Sequence, residues 1–263
     1  MENQIYRDCP ICNNKIYYRW KSDFYTARKK NSKCKKCSTK KTQFTKKHKL
    51  NDIFSKRENS LDNLLSETPQ SFYWLGFLIA DAYLKDNSFE ICLSEKDKQH
   101  LVNFSNFISY NKEIKFRSNT KSYRIAFNNK NSIPLFMEKY GIENKKTYNP
   151  IDFSHYKKYN KNLLICLLIG IIDGDGYICN NGSVNSFVIK ITSHNKWYNF
   201  YENILNHLDI KNIIKKVNNR NVISINISKK EVIGTLTNII KYNKLPILER
   251  KWKDILNQRN NEK

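Results

Sequence analysis

Two apolar segments interrupt an otherwise polar chain, WLGFLIADAYL at residues 74–84 and LLIGIIDGDGYI at residues 167–178. In each segment two small residues lie four positions apart, and an aspartate follows directly after the second. Residues four apart lie on one side of an α-helix, so two helices of this kind can pack backbone to backbone. We therefore predict a helix pair joined through these small residues. The residues concerned are Gly76, Ala80 and Asp81 in the first segment and Gly170, Gly174 and Asp175 in the second.

The first of these helices has a recognisable start. Thr68 suits the N-cap and Pro69 the first turn, which predicts a helix from about Pro69 to Asp81. The C-terminal end of a helix carries unsatisfied carbonyls and the negative end of the dipole, so a carboxylate there is disfavoured. Pairing the helices brings Asp81 and Asp175 together, and a cation would stabilise that arrangement. Mg²⁺, which prefers hard oxygen ligands, is the predicted ion.

The segments that follow the two helices repeat each other. Residues 88–108 align with 186–205, because both begin Ser-Phe, alternate apolar and polar positions as a strand does, and turn into an amphipathic helix. Residues 121–128 and 221–228 alternate in the same phase. The sequence of each half therefore predicts the element order helix, two strands, helix, two strands, helix.

This repeat predicts the fold class. A sheet with one apolar and one polar face needs helices behind it and leaves its other face to solvent or a ligand. We predict an α+β fold, a pseudo-twofold pair of αββαββα repeats at residues 68–150 and 160–263. The polar strand positions are candidates for ligand contact, and they are Arg117, Arg124, Asn128, Lys190, Ser224 and Asn226.

Residues 1–58 carry different signals. Four of the seven cysteines lie here, as Cys9-Pro-Ile-Cys12 and Cys34-Lys-Lys-Cys37, with 21 residues between the pairs. Two CxxC pairs at this spacing are typical of a tetrahedral zinc site, which predicts a zinc-ribbon-like module around one structural Zn²⁺. The alternative is two chance CxxC pairs in a disordered basic arm.

Aromatic side chains fill the interval between the two cysteine pairs. In so small a module we favour them as its core over a stacking surface for bases. They are Tyr17, Tyr18, Trp20, Phe24 and Tyr25.

Residues 38–67 are interpreted as a basic linker with a short helix near Leu61. Its lysines are either an arm that contacts phosphates or a solvated charge run, and both interpretations stay open. These lysines are Lys40, Lys41, Lys46, Lys47 and Lys49.

The net charge narrows the partner. With 47 Lys+Arg against 24 Asp+Glu the formal charge is +23, which favours a polyanion such as nucleic acid or an acidic membrane surface. The longest uncharged apolar run, Leu163 to Ile172, has ten residues, whereas a bilayer needs about 20. We expect no membrane span and no signal peptide. An intracellular location follows as an expectation, in cytoplasm, nucleoid or an organelle matrix.

At this point the residues amount to a family resemblance. WLGFLIADA (74–82) and LIGIIDGDG (168–176) resemble the two copies of the nine-residue signature of LAGLIDADG homing endonucleases, in the single-chain form. The first copy departs from it, because Ile79 replaces the first acid and Ala82 the last glycine. The order of strands and helices extends the resemblance over residues 70–256.

The resemblance implies a monomeric, metal-dependent endonuclease that cleaves double-stranded DNA at a long asymmetric site, as in intron homing by mobile genetic elements. Asp81 and Asp175 would bind two or three Mg²⁺ ions, with the backbone carbonyls of Ala80 and Gly174. The two sheets would form a DNA-binding saddle whose polar strand positions read the major groove.

The resemblance also implies one basic residue for each repeat. Lys146 aligns with Lys251, with Lys145 and Arg250 beside them, and these lysines would polarise the attacking water or stabilise the transition state. The alternative is that these lysines only neutralise the charge of phosphates. Glu95 and Ser193 occupy positions that often join the water network of the site, but the two differ, so we assign them no role.

Several single residues have plainer interpretations. Asp173 is a helix-end contact rather than a ligand, and the DGDG run fails as a calcium loop because its fifth and twelfth positions carry no suitable oxygen ligand. His194 is interpreted as a helix cap, with a contact to DNA as the alternative. The remaining cysteines, Cys92, Cys166 and Cys179, are buried or incidental.

Two alternative functions remain on the same fold. One is an RNA maturase that binds its own intron RNA. The other is a regulator that binds DNA without cleaving it.

Overall fold

The computed structural model describes residues 5–37, 61–110, 112–180, 187–211, 213–217 and 220–258. The chain divides into two compact units, Met1–Lys56 and Arg57–Lys263. The five linker lysines considered above lie outside the described residues.

The first unit is a hairpin followed by a helix. Strand β1 (Ile5–Asp8) pairs antiparallel with β2 (Lys15–Tyr18), and helix α1 (Lys21–Lys29) follows. Asn13, with φ of 53°, closes the hairpin through its N–H, which donates to the carbonyl of Cys9. This geometry brings the first CxxC pair into the turn of the hairpin.

The second unit contains both repeats, in the predicted element order. Each repeat gives one four-stranded antiparallel sheet, in which the long second and fourth strands are central. The first repeat comprises α2 (Pro69–Asp81), β3 (Tyr83–Lys85), β4 (Ser88–Ser94), α3 (Lys98–Phe107), β5 (Lys115–Arg117), β6 (Ser122–Asn128) and α4 (Ser132–Lys139). The second comprises α5 (Lys161–Asp175), β7 (Gly176–Asn180), β8 (Phe187–His194), α6 (Tyr198–His207), β9 (Ile213–Lys216), β10 (Val222–Ile227), α7 (Lys230–Asn243) and the additional α8 (Glu249–Gln258).

The central strands confirm the alternation that the sequence predicts. Ile91 lies opposite Ile125 in the first sheet, and Ile191 lies opposite Ile225 in the second. All four are fully buried, because a register with a period of two sends every second side chain into the core. The other face of each sheet carries the polar residues.

The two apolar segments form α2 and α5, which we call the motif helices. The side chain of Thr68 accepts a hydrogen bond from the N–H of Ser71, and Pro69 opens the helix, so the predicted start is confirmed. Asn160 caps α5 in the same way, by accepting from the N–H of Leu163. Both helices end directly on their aspartate.

The motif helices pack backbone against backbone. A Cβ added at Gly170 would overlap the carbonyl oxygen of Tyr73, and one added at Gly76 would overlap that of Leu167. Further along α5, a Cβ added at Gly174 would overlap the methyl group of Ala80. Residues later in α2 contact residues later in α5, so the two helices run parallel and their C-terminal ends meet.

Two smaller observations complete the fold. Residues 61–65 are helical, and Leu61 and Leu64 are buried in the core of the second unit. Our prediction of a helix near Leu61 is confirmed, but its assignment to a linker was wrong. Among the described residues, no helix has both the length and the apolar character that crossing a bilayer requires.

Candidate active site

The two aspartates of the motif helices lie side by side. Glycine at position 174 lets the second helix come close enough that a Cβ there would lie 3.4 Å from the backbone nitrogen of Asp81. Asp175 is the next residue along, so both carboxylates emerge where the helices meet. They are exposed to solvent by surface area, yet protein surrounds them on most sides.

This crowding changes how the carboxylates titrate. Burial raises the pKa of Asp175 to about 6, opposed by Lys146 and helped by the negative charge of Asp81. Burial also raises the pKa of Asp81, opposed by Lys251 and Lys146. Two neighbouring acids whose pKa values are both raised form a site where a cation is favourable.

Each predicted lysine lies at the end of a motif helix. The ammonium of Lys146 donates to the carbonyl oxygens of Ile79 and Ala80, the latter at 2.8 Å. The ammonium of Lys251 donates in the equivalent place, to the carbonyl oxygens of Ile172 at 3.1 Å and Gly176 at 2.7 Å, among others. The alignment of the two lysines therefore corresponds to equivalent positions in space.

These lysine contacts stabilise the helix ends. Carbonyls that have no partner within the helix receive a cationic donor, which also balances the dipole. Burial lowers the pKa of both lysines, while the nearby aspartates raise it. The charge that most strongly opposes the effect of burial on the pKa is Asp175 for Lys146 and Lys251 for Asp81. The lysine that acts most strongly on each aspartate thus comes from the other repeat.

A cleft of about 300 Å³ opens beside Asp175. It brings Lys146 from the first repeat together with Ser193, Trp197 and Tyr201 from the second. Tyr201, whose pKa is raised by burial and by Asp175, was missed in the sequence because its spacing on α6 is that of a core residue. Ser193, which we left without a role, lines this cleft, whereas Glu95 is exposed in the first repeat.

Asp173 has a structural position, as predicted. Its buried carboxylate accepts hydrogen bonds from Tyr73 Oη at 2.6 Å, Trp252 Nε1 at 2.7 Å and the N–H of Leu248 at 2.9 Å. Burial raises its pKa, and these donors oppose the shift. The residue ties α8 to both motif helices.

The polar strand residues lie on the open faces of the two sheets. On the first, Arg117 and Arg124 both form ion pairs with the carboxylate of Glu90, the former at 3.1 Å. Glu90 was not among the predicted residues. The others lie on or at the edge of these faces: Asn128 and Lys190 are exposed, and Ser224 and Asn226 are partly exposed.

The donor set at the motif helices fits a hard divalent cation. Mg²⁺ is usually held by one or two carboxylates, with water and substrate phosphate completing the shell, and Asp81 with Asp175 supplies that number. The carbonyls of Ala80 and Gly174 face lysine nitrogens at 2.8 and 3.4 Å. Each carbonyl therefore already accepts from a lysine and has its second lone pair left for a metal.

In the first unit the four cysteines form one cluster. Their sulfurs all lie within 4.8 Å of one another. A backbone N–H from Cys34 lowers the pKa of Cys9 to about 6, whereas hydrogen bonds from Cys12 and Cys34 raise that of Cys37 to about 12. The thiol of Cys9 thus ionises readily and that of Cys37 does not, as expected where neighbouring thiolates would repel one another. This donor set fits tetrahedral Zn²⁺.

The aromatic residues of this unit are less buried than we expected. Tyr17, Trp20 and Tyr25 are exposed by 59, 61 and 62% of their surface, so their assignment to a core was wrong. Tyr18 and Phe24 are partly buried against each other, with ring centroids 5.9 Å apart. The cysteine cluster replaces most of the hydrophobic core here, which leaves few apolar positions to fill.

Two lesser predictions concern His194 and the remaining cysteines. His194 caps the 3₁₀ helix Asn195–Trp197 by accepting from the N–H of Lys196, as predicted. Cys166 is buried, Cys179 is partly exposed and Cys92 is exposed.

Solved structures of other proteins are similar to this chain. The meganuclease I-SmaMI bound to uncleavable DNA matches with 13% identity and a TM-score of 0.50, over 73% of this chain and 91% of that one. The LAGLIDADG homing endonuclease I-LtrWI bound to target DNA matches with 15% identity and a TM-score of 0.51, over the same shares of the two chains.

The chain has the LAGLIDADG fold. A scan against protein-family models and a search of the curated proteins find no match. In this LAGLIDADG fold the motif helices are α2 and α5, and the two sheets are those whose open faces carry the polar strand residues.

The raised pKa of Asp175 has a testable effect on stability. Because it is raised from 3.8 to about 6, its contribution to stability is fully present below about pH 4 and is lost as pH rises through 6. In metal-free protein, Asp175→Asn should therefore raise Tm at pH 7.5, with a gain that vanishes at pH 4. Thermal melts in EDTA at both pH values measure this.

Asp209 provides a control of opposite sign. Lys161 lowers the pKa of Asp209, so its stabilising contribution is present at neutral pH and is lost at low pH. Asp209→Asn should not raise Tm at pH 7.5. If the Asp175 variant shows the same Tm as the unmodified protein at pH 7.5, the crowding of the two carboxylates has been overstated.

Proposed function

We propose that this chain is a site-specific endonuclease of double-stranded DNA that requires a divalent metal. The observation that carries the proposal is the meeting of Asp81 and Asp175 at the ends of parallel helices, with Lys146 and Lys251 beside them. The fold it shares with I-LtrWI, which binds target DNA, and the formal charge of +23 support the same conclusion.

The residues of the site have distinct tasks. A divalent ion, when bound, supplies the polarisation of water and phosphate that phosphodiester hydrolysis needs, and Asp81 and Asp175 would hold it. Lys146 gives two of its three N–H groups to helix carbonyls, so one remains for a phosphate oxygen. The open sheet faces would orient the duplex, with Lys190, Ser224 and Asn226 directed at one half-site.

A plasmid library with random inserts tests the proposal. Incubation with Mg²⁺ should produce double-strand breaks at discrete sequences, and EDTA should abolish them. Selective binding without breaks would favour a DNA-binding regulator. Stimulated splicing of an intron RNA without nicking would favour a maturase.

We also propose that the first unit binds one Zn²⁺ through its four cysteines. Elemental analysis of the purified full chain should give about one zinc per chain. Cys9→Ser combined with Cys12→Ser should reduce this nearly to zero, because two thiolates cannot complete the tetrahedral set. DNA affinity should also fall, since the variant unit loses the centre of its fold.

Cys92→Ser is the matched control, because Cys92 is an exposed thiol on a sheet of the second unit. Its zinc content should equal that of the unmodified chain. Equal zinc content in the Cys9 and Cys12 double variant would refute the four-cysteine site.

A further inference from the structure

The segments that carry Lys146 and Lys251 are each fastened to the opposite repeat, but by different chemistry. On one side the indole N–H of Trp197 donates to the backbone carbonyl of Lys146 at 3.1 Å. On the other, Arg250 donates to both carboxylate oxygens of Asp97, from Nε at 2.7 Å and from Nη2 at 2.9 Å.

Asp97 and Trp197 hold equivalent places in the two repeats. Each is the last residue of the 3₁₀ helix that connects the second strand to the following α-helix, Glu95–Asp97 in one and Asn195–Trp197 in the other. The pseudo-twofold arrangement therefore has one ionic fastening and one neutral fastening.

The ionic fastening is held in a fixed geometry. Only 8% of the Asp97 side chain is exposed, and Ser94 Oγ also donates to it at 3.3 Å. Burial raises the pKa of Asp97, but the hydrogen bonding and charge of Arg250, together with Ser94 and His100, outweigh this and the net pKa is lowered. A paired, planar guanidinium that forms two parallel hydrogen bonds fixes orientation as well as distance.

Arg250 directly precedes Lys251, so fixing one restricts the other. Lys251 must place its single ammonium on the carbonyls of Ile172, Asp173 and Gly176 at once, and it is the strongest opposing charge on Asp81. Arg250 also acts electrostatically on Asp81. Releasing Arg250 would loosen this end of the site while leaving the Lys146 segment on Trp197.

We propose that the Asp97–Arg250 pair is a positioning device for the centre of Asp81 and Lys251, and that Trp197 has the same task for the centre of Asp175 and Lys146. The two strand cleavages of the proposed endonuclease are thereby set by separate contacts. This inference rests on the proposed function and extends it to residues that hold the two lysine segments in place.

The test measures the two strands separately. A target recovered with the unmodified protein is labelled with a different dye at each 5′ end and cleaved with Mg²⁺ under single-turnover conditions, with protein in excess so that affinity does not limit the rate. Asp97→Asn should slow one strand about tenfold or more, since small misplacements are costly, and leave the other within about twofold. Nicked duplex should accumulate.

Trp197→Phe is the mirror variant, because it removes the N–H while keeping an aromatic ring. It should slow the opposite strand. Arg250→Gln should reproduce the Asp97→Asn effect, and the double variant should be no slower than either single one, since the two residues act through each other.

Asp209→Asn is the control. It breaks an ion pair with Lys161, at the N-terminal end of α5, about 20 Å from Asp175 by the rise of a 15-residue helix. Both strand rates should stay unchanged. Should Asp97→Asn fail to fold by thermal melting, Arg250→Gln decides the question, because Arg250 is half exposed.

Equal slowing of both strands, slowing of the same strand by Asp97→Asn and Trp197→Phe, or no slowing at all would overturn the inference. The proposed function has a different failure, in which the unmodified protein cuts neither strand of any sequence. The two outcomes are therefore distinguishable.

Discussion

Replacing Asp175 by Asn should abolish cleavage of both DNA strands, by on the order of 1,000-fold or more, while DNA affinity changes little. Asn keeps the shape of the side chain but removes the negative oxygen that a divalent ion requires. Both strands should be affected, because Asp81 and Asp175 lie together where the motif helices meet, and Asp81 helps to raise the pKa of Asp175. A single lost carboxylate therefore weakens the whole site.

Affinity should survive because Asp175 is an acid beside a polyanion. Removing its charge reduces repulsion from the phosphates, and the basic sheet faces are untouched. Cleavage is measured on a dye-labelled target with Mg²⁺, and affinity by fluorescence anisotropy with Ca²⁺ or EDTA at fixed salt. The fold should also survive, since the substitution raises Tm at neutral pH.

Asp254→Asn is a suitable control, because Asp254 is an exposed acid on α8, three residues beyond Lys251. Its cleavage rate should match that of the unmodified chain. Retained cutting of both strands by Asp175→Asn would contradict the assignment of the site.

Local signals in the sequence predicted much of this fold. Thr68 and Pro69 mark the start of the first motif helix, and Asp81 its end, which the structure reproduces. The strand phases were predictable because alternation with a period of two is a property of neighbouring residues. The close packing of the motif helices was also predictable, since glycine spacing in a helix directly reports which side lacks side chains.

The contacts that shape the site were not predictable, because they join residues distant in sequence. Asp97 and Arg250 are 153 residues apart, and Asp173 and Trp252 are 79 apart. No local pattern specifies such a partner. The core prediction for the aromatic residues between the CxxC pairs was wrong for a related reason: no local pattern reveals that a cysteine cluster replaces the core.

A single added methyl group should disrupt the packing of the two motif helices. Gly170→Ala should destabilise the second unit by about 3 kcal/mol or more, as expected for overpacking that the backbone must relieve. The added Cβ would overlap the carbonyl oxygen of Tyr73, and Phe77 N lies 2.8 Å from it. Backbone atoms cannot rotate away as a side chain can, so the motif helices would have to separate.

Gly174→Ala tests whether the obstacle is backbone or side chain. There the added Cβ meets the methyl group of Ala80, which a second substitution can remove. Gly174→Ala alone should therefore destabilise the protein, and Gly174→Ala with Ala80→Gly should largely restore it. The helix-propensity cost of about 1 kcal/mol for the new glycine is offset by an equal gain at the new alanine.

Urea unfolding of each variant measures these effects, with fluorescence of the buried Trp74 and Trp252 as the probe. The combination of Gly170→Ala with Ala80→Gly is the matched control. It should remain as unstable as Gly170→Ala or more so, because the methyl group of Ala80 is not what the new Cβ at residue 170 meets. Rescue of Gly170→Ala by this second change, or no destabilisation by Gly170→Ala itself, would mean that the motif helices do not pack through their backbones. The meeting of Asp81 and Asp175 depends on that packing, so such a result would also remove the geometric basis of the proposed catalytic site.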